Sequence, residues 1–240
     1  MKHRILHKVY EVFEKWSNEQ ADLTLVCEKG CSSCCTQNVT ITALEGEDIL
    51  RYIMAEKLTD WFSVKLTQNR NHQRPKMTTN DFAKACLDGR DVDPESPSSE
   101  SSCPFLENNS CTIYPVRPFS CRLFVSSKKC GLGQPALIPD YYLEASTATT
   151  QLVEHLGQKE YWGNMLDVLL ALLDISEFRE TSEKFNNSVI MQARMQTLTA
   201  KPLPGFLLSE EERARVAPLI EAIFATEVDG KCVEDILNGK

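Results

Sequence analysis

The chain has 240 residues, of which 42% are hydrophobic and 25% charged, and its formal net charge is −8. This length allows a hydrophobic core without disulfide support, and the composition excludes a largely disordered protein. The acidic balance argues against nucleic-acid binding, because a basic surface is the usual electrostatic footprint of that function.

The N-terminal segment and the most apolar window both argue against a membrane or secreted protein. Residues 1–16 carry charges throughout and contain no continuous apolar stretch, so we predict no secretory signal. Residues 165–175 are too few for the ~20 that span a bilayer, and they include Asp167 and Asp174. We therefore expect a soluble cytoplasmic protein, in a reducing compartment where thiols stay free or bind metal.

The first predicted element is a helix. Ile5, Val9, Phe13 and Trp16 recur at helical spacing with charged residues between them. After the first group of cysteines, the segment NVTIT over residues 38–42 is rich in β-branched side chains and predicts a short strand.

Three further helices are predicted before the middle of the chain. Thr42 and Glu45 have the spacing of a capping box, and the helix that they open extends to about Leu58. A second helix is predicted over 60–71, and a third, DFAKACLDG over 81–89, ends at a glycine that can cap it.

An exposed acidic loop and an irregular segment follow. Residues 88–102 are rich in Ser, Pro and acidic side chains, which indicates a linker or loop. The prolines and the Asn-Asn-Ser turn of residues 103–130 exclude a long helix there. Within this segment, CTIY over 111–114 predicts a short strand of a small hairpin.

The C-terminal part is predicted to be helical. Residues 161–176 are apolar on nearly all sides, which indicates a central buried helix, and another helix is expected over 178–197. A second capping box at Ser209 and Glu212 opens a last helix, which Pro218 should kink or split.

These elements predict a mainly α fold in which an irregular, loop-rich cysteine region with short β segments packs on a helical bundle. Residues 1–140 would form the cysteine-cluster metal-binding domain with its N-terminal helices. Residues 141–240 would form a helical region that packs on this domain, so that the two make one compact unit.

Eight of the ten cysteines lie in two groups, spaced C-x3-C-x2-C-C and C-x7-C-x9-C-x8-C. These are Cys27, Cys31, Cys34 and Cys35, followed by Cys103, Cys111, Cys121 and Cys130. The cysteine content is below the ~8–10% typical of disulfide scaffolds, and neither group contains a histidine. A nearly all-thiolate ligand set selects Zn²⁺, iron–sulfur clusters or Cu(I). Cys86 and Cys232 lie apart and are expected to be packed apolar side chains.

The neighbours Cys34 and Cys35 pose a separate question, because adjacent side chains usually point in different directions. They could serve two ions, or two irons of one cluster, or one of them could be a packing residue. The site would be anionic, and buried charge needs compensation. Arg117 and Arg122 flank Cys121 and are the candidate cations beside the metal, whereas Lys128 and Lys129 are expected on the solvated surface.

The segments CSSCC and CPFLENNSCTIYPVRPFSCRLF resemble the YkgJ-like cysteine-cluster family, a zinc- or iron-chelating domain, over about residues 25–132. The resemblance implies metal chelation by the eight cysteines, with Cys130 as the loosest match. Glu45 matches a glutamate of the family's helix start, which we interpret as a capping residue. Flagellin lysine N-methylases have a similar cysteine cluster that is thought to hold an iron–sulfur centre, but this chain is shorter and has no motif for a methyl donor.

Two functions remain open at this stage. The first is a protein that binds zinc or iron at a structural or regulatory site, and the alternative is an iron–sulfur protein with a redox or enzymatic role. A thiol enzyme with Cys35 as nucleophile is disfavoured, because the sequence offers no neighbouring base or cation. We identify no catalytic motif, which favours a binding protein over an enzyme.

A metal ion is the partner that the sequence indicates, and no protein partner is identified. His3 and His7 have a metal-binding spacing but no third ligand in the sequence around them.

Overall fold

The computed structural model describes residues 1–67, 72–93, 101–131 and 134–239. The predicted mainly α fold is confirmed, because 53% of the described residues are helical and the strands are short. The helices of the described ranges are α1 Lys2–Asn18, α2 Ala43–Ala55, α3 Thr59–Thr67, α4 Thr79–Leu87, α5 Phe119–Leu123, α6 Asp140–Leu156, α7 Met165–Leu172, α8 Arg179–Ser182, α9 Asn187–Gln196, α10 Glu210–Ala225 and α11 Val233–Leu237. The strands are β1 Thr40–Thr42, β2 Leu106–Glu107, β3 Ser110–Cys111, β4 Tyr161–Asn164, β5 Leu198–Thr199, β6 Glu227–Val228 and β7 Lys231–Cys232.

The first predicted elements form as expected. Helix α1 buries the apolar stripe that its sequence predicts, and β1 lies within the predicted strand. The capping box that opens α2 is complete: the Thr42 N–H donates to Glu45 Oε2 at 2.8 Å, and the Glu45 N–H donates to Thr42 Oγ1 at 3.4 Å. Helix α2 ends at Ala55, so Leu58 lies beyond it.

The next elements are shorter than predicted or only partly described. Helix α3 covers the start of the predicted 60–71 helix, whose residues 68–71 lie outside the described ranges. Residues 94–100 of the predicted 88–102 loop lie outside them too. Helix α4 ends at Leu87, and Gly89 then adopts a φ of +71°, as a glycine cap requires.

The predicted hairpin exists, but its second strand is only Ser110–Cys111. Strand β2 pairs antiparallel with β3 across Asn108 and Asn109, whose φ values of 48° and 62° fit a two-residue type I′ turn. The predicted extension of this strand to Tyr114 is wrong, because Tyr114 begins a 3₁₀ turn that contains Pro115.

Three predictions for the C-terminal part are corrected. Tyr161–Asn164 is strand β4 rather than helix, because it pairs with β1 and β5 in a three-stranded antiparallel sheet of order β1-β4-β5. The helix predicted over 178–197 is divided into α8 and α9, since the Asn186 side chain caps a new helix. Helix α10 is not split: Pro218 lies within it on the exposed face.

The capping box predicted for α10 is only half formed. The Ser209 side chain accepts the Glu212 N–H at 3.2 Å, as predicted. The Ser209 N–H donates to Glu144 on α6 at 3.0 Å, instead of to Glu212. This bond ties the start of α10 to a neighbouring helix, so tertiary contact has replaced half of the local motif.

Two hydrophobic clusters make up the core of the described ranges. The first joins α2, α3, α7 and α9 with β1, and every residue of α7 is buried in it. The second joins α1, α6 and α10. Gly46 allows α2 to approach α7 closely, because a Cβ at this position would lie 2.5 Å from Leu172 Cδ1.

Both clusters and the sheet combine residues from before and after position 140. The division into residues 1–140 and 141–240 stays a prediction. None of the helices in the described part of the chain is long and apolar enough to cross a bilayer.

Candidate metal centre

A cavity of about 350 Å³ lies where the two hydrophobic clusters approach each other. Its wall contains apolar side chains of both clusters, such as Phe13 and Tyr142 from the second and Val39 and Met165 from the first. Seven of the eight predicted ligand cysteines also line it, and Cys130 is the exception. The fold thus brings the two cysteine groups of the sequence to one place.

The adjacent cysteines Cys34 and Cys35 are in side-chain contact but differ in environment. The Cys34 thiol donates a hydrogen bond to the Cys35 sulfur, which raises the pKa of Cys34 and lowers the pKa of Cys35. Cys34 is exposed, whereas Cys35 is partly buried. The two neighbouring side chains therefore differ in their exposure to solvent.

Cys35 belongs with the downstream cysteines, which we call the inner group: Cys35, Cys103, Cys111 and Cys121. The Cys103 N–H donates to the Cys35 carbonyl at 2.9 Å, which holds the two chain segments together. The thiols of Cys103, Cys111 and Cys121 are near enough to oppose ionisation of Cys35 by charge repulsion. These three residues also pack against the first hydrophobic cluster.

The β2–β3 hairpin and the turns around it supply backbone donors to two inner sulfurs. Backbone N–H groups of Phe105 and Ile113, each two residues beyond a cysteine, donate to the sulfurs of Cys103 and Cys111. Burial nevertheless dominates, since it raises the pKa of Cys103 to about 11 and also raises that of Cys111. These thiols would therefore release protons when they bind a metal ion.

The remaining cysteines, Cys27, Cys31, Cys34 and Cys130, form what we call the outer group. Burial is the main cause of the raised pKa of Cys27, and charge repulsion from Cys31, Cys34 and Cys130 adds to it. The Val26 N–H donates to the Ser126 carbonyl at 3.0 Å, which joins the first cysteine segment to the loop that leads to Cys130.

The two predicted arginines have different positions. The Arg117 guanidinium opposes the effect of burial on the pKa of Cys111 and Cys121, and it acts in the same direction on Cys34. Arg117 thus faces thiols of both groups, which suits compensation of an anionic centre. Arg122 lies 4.9 Å from the centre of the Tyr10 ring and donates from Nε to the Arg117 carbonyl at 3.0 Å. Its contacts brace the turn that carries Arg117.

Glu45 has a second task that the capping-box pattern does not reveal. Its Oε1 accepts hydrogen bonds from the Tyr10 hydroxyl and from the Phe119 N–H, both at 2.8 Å. Phe119 opens α5, the short helix that carries Cys121. A buried carboxylate therefore connects the start of α2 to the start of the Cys121 helix. The sequence signalled the cap, but the long-range partners follow only from the fold.

The donor set fits a soft metal ion. Seven thiols line one cavity, backbone N–H groups donate to two of the inner sulfurs, and one arginine faces both groups, as suits an anionic thiolate centre. Within the described ranges, however, no three His, Cys, Asp or Glu side chains already form a group that could hold an ion. The thiol side chains would have to reorient when a metal binds.

Cys86 and Cys232 stand apart from both groups, on α4 and at the end of β7. His3 and His7 contact carboxylates of α2 instead of a cysteine: His3 Nε2 lies 2.9 Å from Glu47, and His7 Nε2 lies 2.8 Å from Asp48. These histidines tie α1 to α2, away from the cysteine cavity.

Comparison with known proteins gives a family match for the segment that carries the cysteines. No curated protein and no solved structure matches the chain. Residues 26–142 match the family model CxxCxxCC, described as "Putative zinc- or iron-chelating domain", and this range contains all eight cysteines of the two groups. The resemblance seen in the sequence is thereby confirmed. Over residues 26–142 the chain is thus similar to the CxxCxxCC family of cysteine-cluster domains.

Proposed function

We propose that the protein binds zinc or iron through its inner and outer cysteine groups, and that this centre has a structural or regulatory role. The observation that carries the proposal is the approach of cysteines from three separate chain segments to one cavity wall beside Arg117. Eight thiols in two groups of four match the ligand number of two tetrahedral Zn²⁺ sites.

A structural role is supported by the local fold. The described chain segments that carry the eight cysteines contain only the two-residue strands β2 and β3, the 3₁₀ turn Tyr114–Val116, the five-residue helix α5 and irregular loops. Such a region has little core of its own, and zinc binding can supply on the order of 10 kcal/mol of folding free energy. The metal would then hold the loops onto the helical core.

An iron–sulfur protein with a redox or enzymatic role is the second candidate. The cavity of about 350 Å³ beside the sulfurs favours it, because a cluster needs more room than single ions. Backbone N–H donors to cysteine sulfur also tune such clusters. A bound cluster would add electron transfer to the chemistry of the site, while Arg117 would balance its charge.

Anaerobic purification followed by metal analysis and a visible spectrum separates the candidates. Stoichiometric zinc in a colourless protein supports two zinc sites, whereas stoichiometric iron with thiolate-to-iron absorbance supports a cluster. Cys111→Ser should reduce the bound metal, and Cys86→Ser is the matched control, since Cys86 lies outside both groups. A protein without bound metal after anaerobic purification and reconstitution would refute the proposed function.

A further inference from the structure

The two cysteine groups differ in how firmly the surrounding chain holds them. In the inner group, Cys103, Cys111 and Cys121 pack against the first hydrophobic cluster. Cys111 is in strand β3 and Cys121 is in helix α5, whose start is bonded to the buried Glu45. The backbone of Cys111 and Cys121 is therefore held by secondary structure, core packing and a buried carboxylate, although the thiol side chains must still reorient when a metal binds.

The outer group has much weaker support. Cys31 and Cys34 are exposed, and Cys27, Cys31, Cys34 and Cys130 all lie outside the helices and strands of the described ranges. Gly30 has a φ of +100°, and a Cβ added there would meet no atom within 4 Å. The turn that carries Cys31 is thus open to solvent on this side.

Solvent exposure controls how an ion leaves an all-sulfur site. A competing ligand must reach the ion or a sulfur bound to it, and exposed loop thiolates allow such attack whereas packed ones do not. Cys34 is exposed and its neighbour Cys35 is partly buried, so these neighbours would belong to sites of different accessibility.

We propose that the outer group is an exchangeable site for a soft divalent cation, while the inner group holds its ion permanently. This inference rests on the proposed metal-binding function and assigns a different role to each of the two sites. The inner ion would stabilise the fold, and the outer site would respond to the supply of soft cations or pass an ion to another thiol ligand. Arg117 faces both groups, so loss of the outer ion changes the charge beside the inner one.

Metal-release kinetics test the inference on the full chain loaded with Zn²⁺ under anaerobic conditions. An excess of a chromophoric chelator should remove one equivalent quickly and the second at least about tenfold more slowly, a ratio that corresponds to about 1.4 kcal/mol in activation free energy. Alkylation during the fast phase, followed by mass spectrometry, should label the outer cysteines and spare the inner ones. This second measurement needs no variant that must fold.

The double variant Cys31→Ser/Cys34→Ser should retain one equivalent of zinc and show only the slow phase. Its matched control, Cys86→Ser/Cys232→Ser, should retain both phases. Release of both equivalents at one rate, or labelling of the inner cysteines in the fast phase, would overturn the inference and leave metal binding intact. A chain that takes up no zinc would instead refute the proposed function itself.

Discussion

The helical core and the cysteine region are built on different principles. The eight residues of α7 are all buried and pack against α2 and α9, so this part of the molecule is stabilised by apolar contacts that the sequence encodes. The cysteine region has short strands and loops whose thiols approach one cavity. The first region should fold without metal, whereas the second should depend on it.

Metal removal should have the largest effect and should act on one region only. Loss of bound zinc takes away a contribution on the order of 10 kcal/mol from the segment around Cys103–Cys121. Hydrogen exchange of this segment should accelerate strongly in reduced, chelator-treated protein, while α6 and α7 stay protected. Equal loss of protection in both regions would show that the helical core also depends on the metal.

A cavity made in the helical core should lower the free energy of unfolding by less than metal removal does, and by the same amount with and without metal. Leu169 on α7 is fully buried, so Leu169→Ala should lower the free energy of unfolding by about 2–5 kcal/mol. Met195→Ala on the exposed face of α9 is the control and should change it by less than about 0.5 kcal/mol. Denaturant unfolding with and without metal measures both, and a cost that appears only in the metal-free protein would contradict the separation of the regions.

Glu45 connects the two regions, and its removal should affect both. Glu45→Gln leaves at least one hydrogen-bond donor among Thr42, Tyr10 and Phe119 without its carboxylate acceptor, which should cost about 1–3 kcal/mol. It should also weaken metal binding by the inner group, because α5 carries Cys121.

Ser209→Ala is the matched control for this prediction, since it removes the cap of α10, a helix that does not line the cysteine cavity. It should lower the free energy of unfolding by about 1 kcal/mol and leave the metal content unchanged. Titration with a metal-buffered zinc indicator compares the two variants. Unaltered zinc affinity in Glu45→Gln would show that Glu45 caps α2 but does not support metal binding.

Loss of the ion pairs between α1 and α2 should have the smallest effect on the free energy of unfolding. Hydrogen bonds to Asp48 and Glu47 raise the pKa of His3 to about 9, although nearby Arg51 opposes this. Because protonated His3 is favoured in the folded state, its contribution to the free energy of unfolding is complete below the pKa of histidine in the unfolded chain, near 6.5. The contribution is lost as the pH rises through about 9.

His3→Gln should therefore flatten the fall in the free energy of unfolding between pH 6.5 and 9. His7→Gln, which removes the more exposed contact with Asp48, should leave most of that fall in place. Thermal unfolding across this pH range, with the metal state held constant, is the measurement. An identical pH profile in wild type and His3→Gln would exclude His3 as its source.

Local sequence patterns predicted the structure correctly wherever contacts between nearby residues determine it. The stripe of Ile5, Val9 and Phe13 predicted α1, and the Thr42–Glu45 spacing predicted a capping box. The cysteine spacing likewise identified all the thiols that the fold brings to the cavity region. In each case the information lies within a few residues of chain.

The features that the sequence did not predict depend on contacts between distant segments of the chain. Tyr161–Asn164 is apolar enough for a helix, but pairing with β1 and β5 makes it a strand. The Ser209 N–H donates to Glu144, a partner 65 residues away, so the predicted reciprocal bond does not form. The separation of Cys34 from Cys35 and the bond from Phe119 to Glu45 depend on the same kind of long-range approach.

The central claim is that all eight cysteines serve metal binding in two groups of four. X-ray absorption at the metal edge, combined with metal analysis of anaerobically purified protein, tests it most directly. For zinc we predict two ions per chain, each with four sulfur neighbours at about 2.3 Å and no nitrogen or oxygen ligand. A shell that contains nitrogen or oxygen, or a metal content that does not fall when Cys35 and Cys121 are replaced by Ser, would contradict the account.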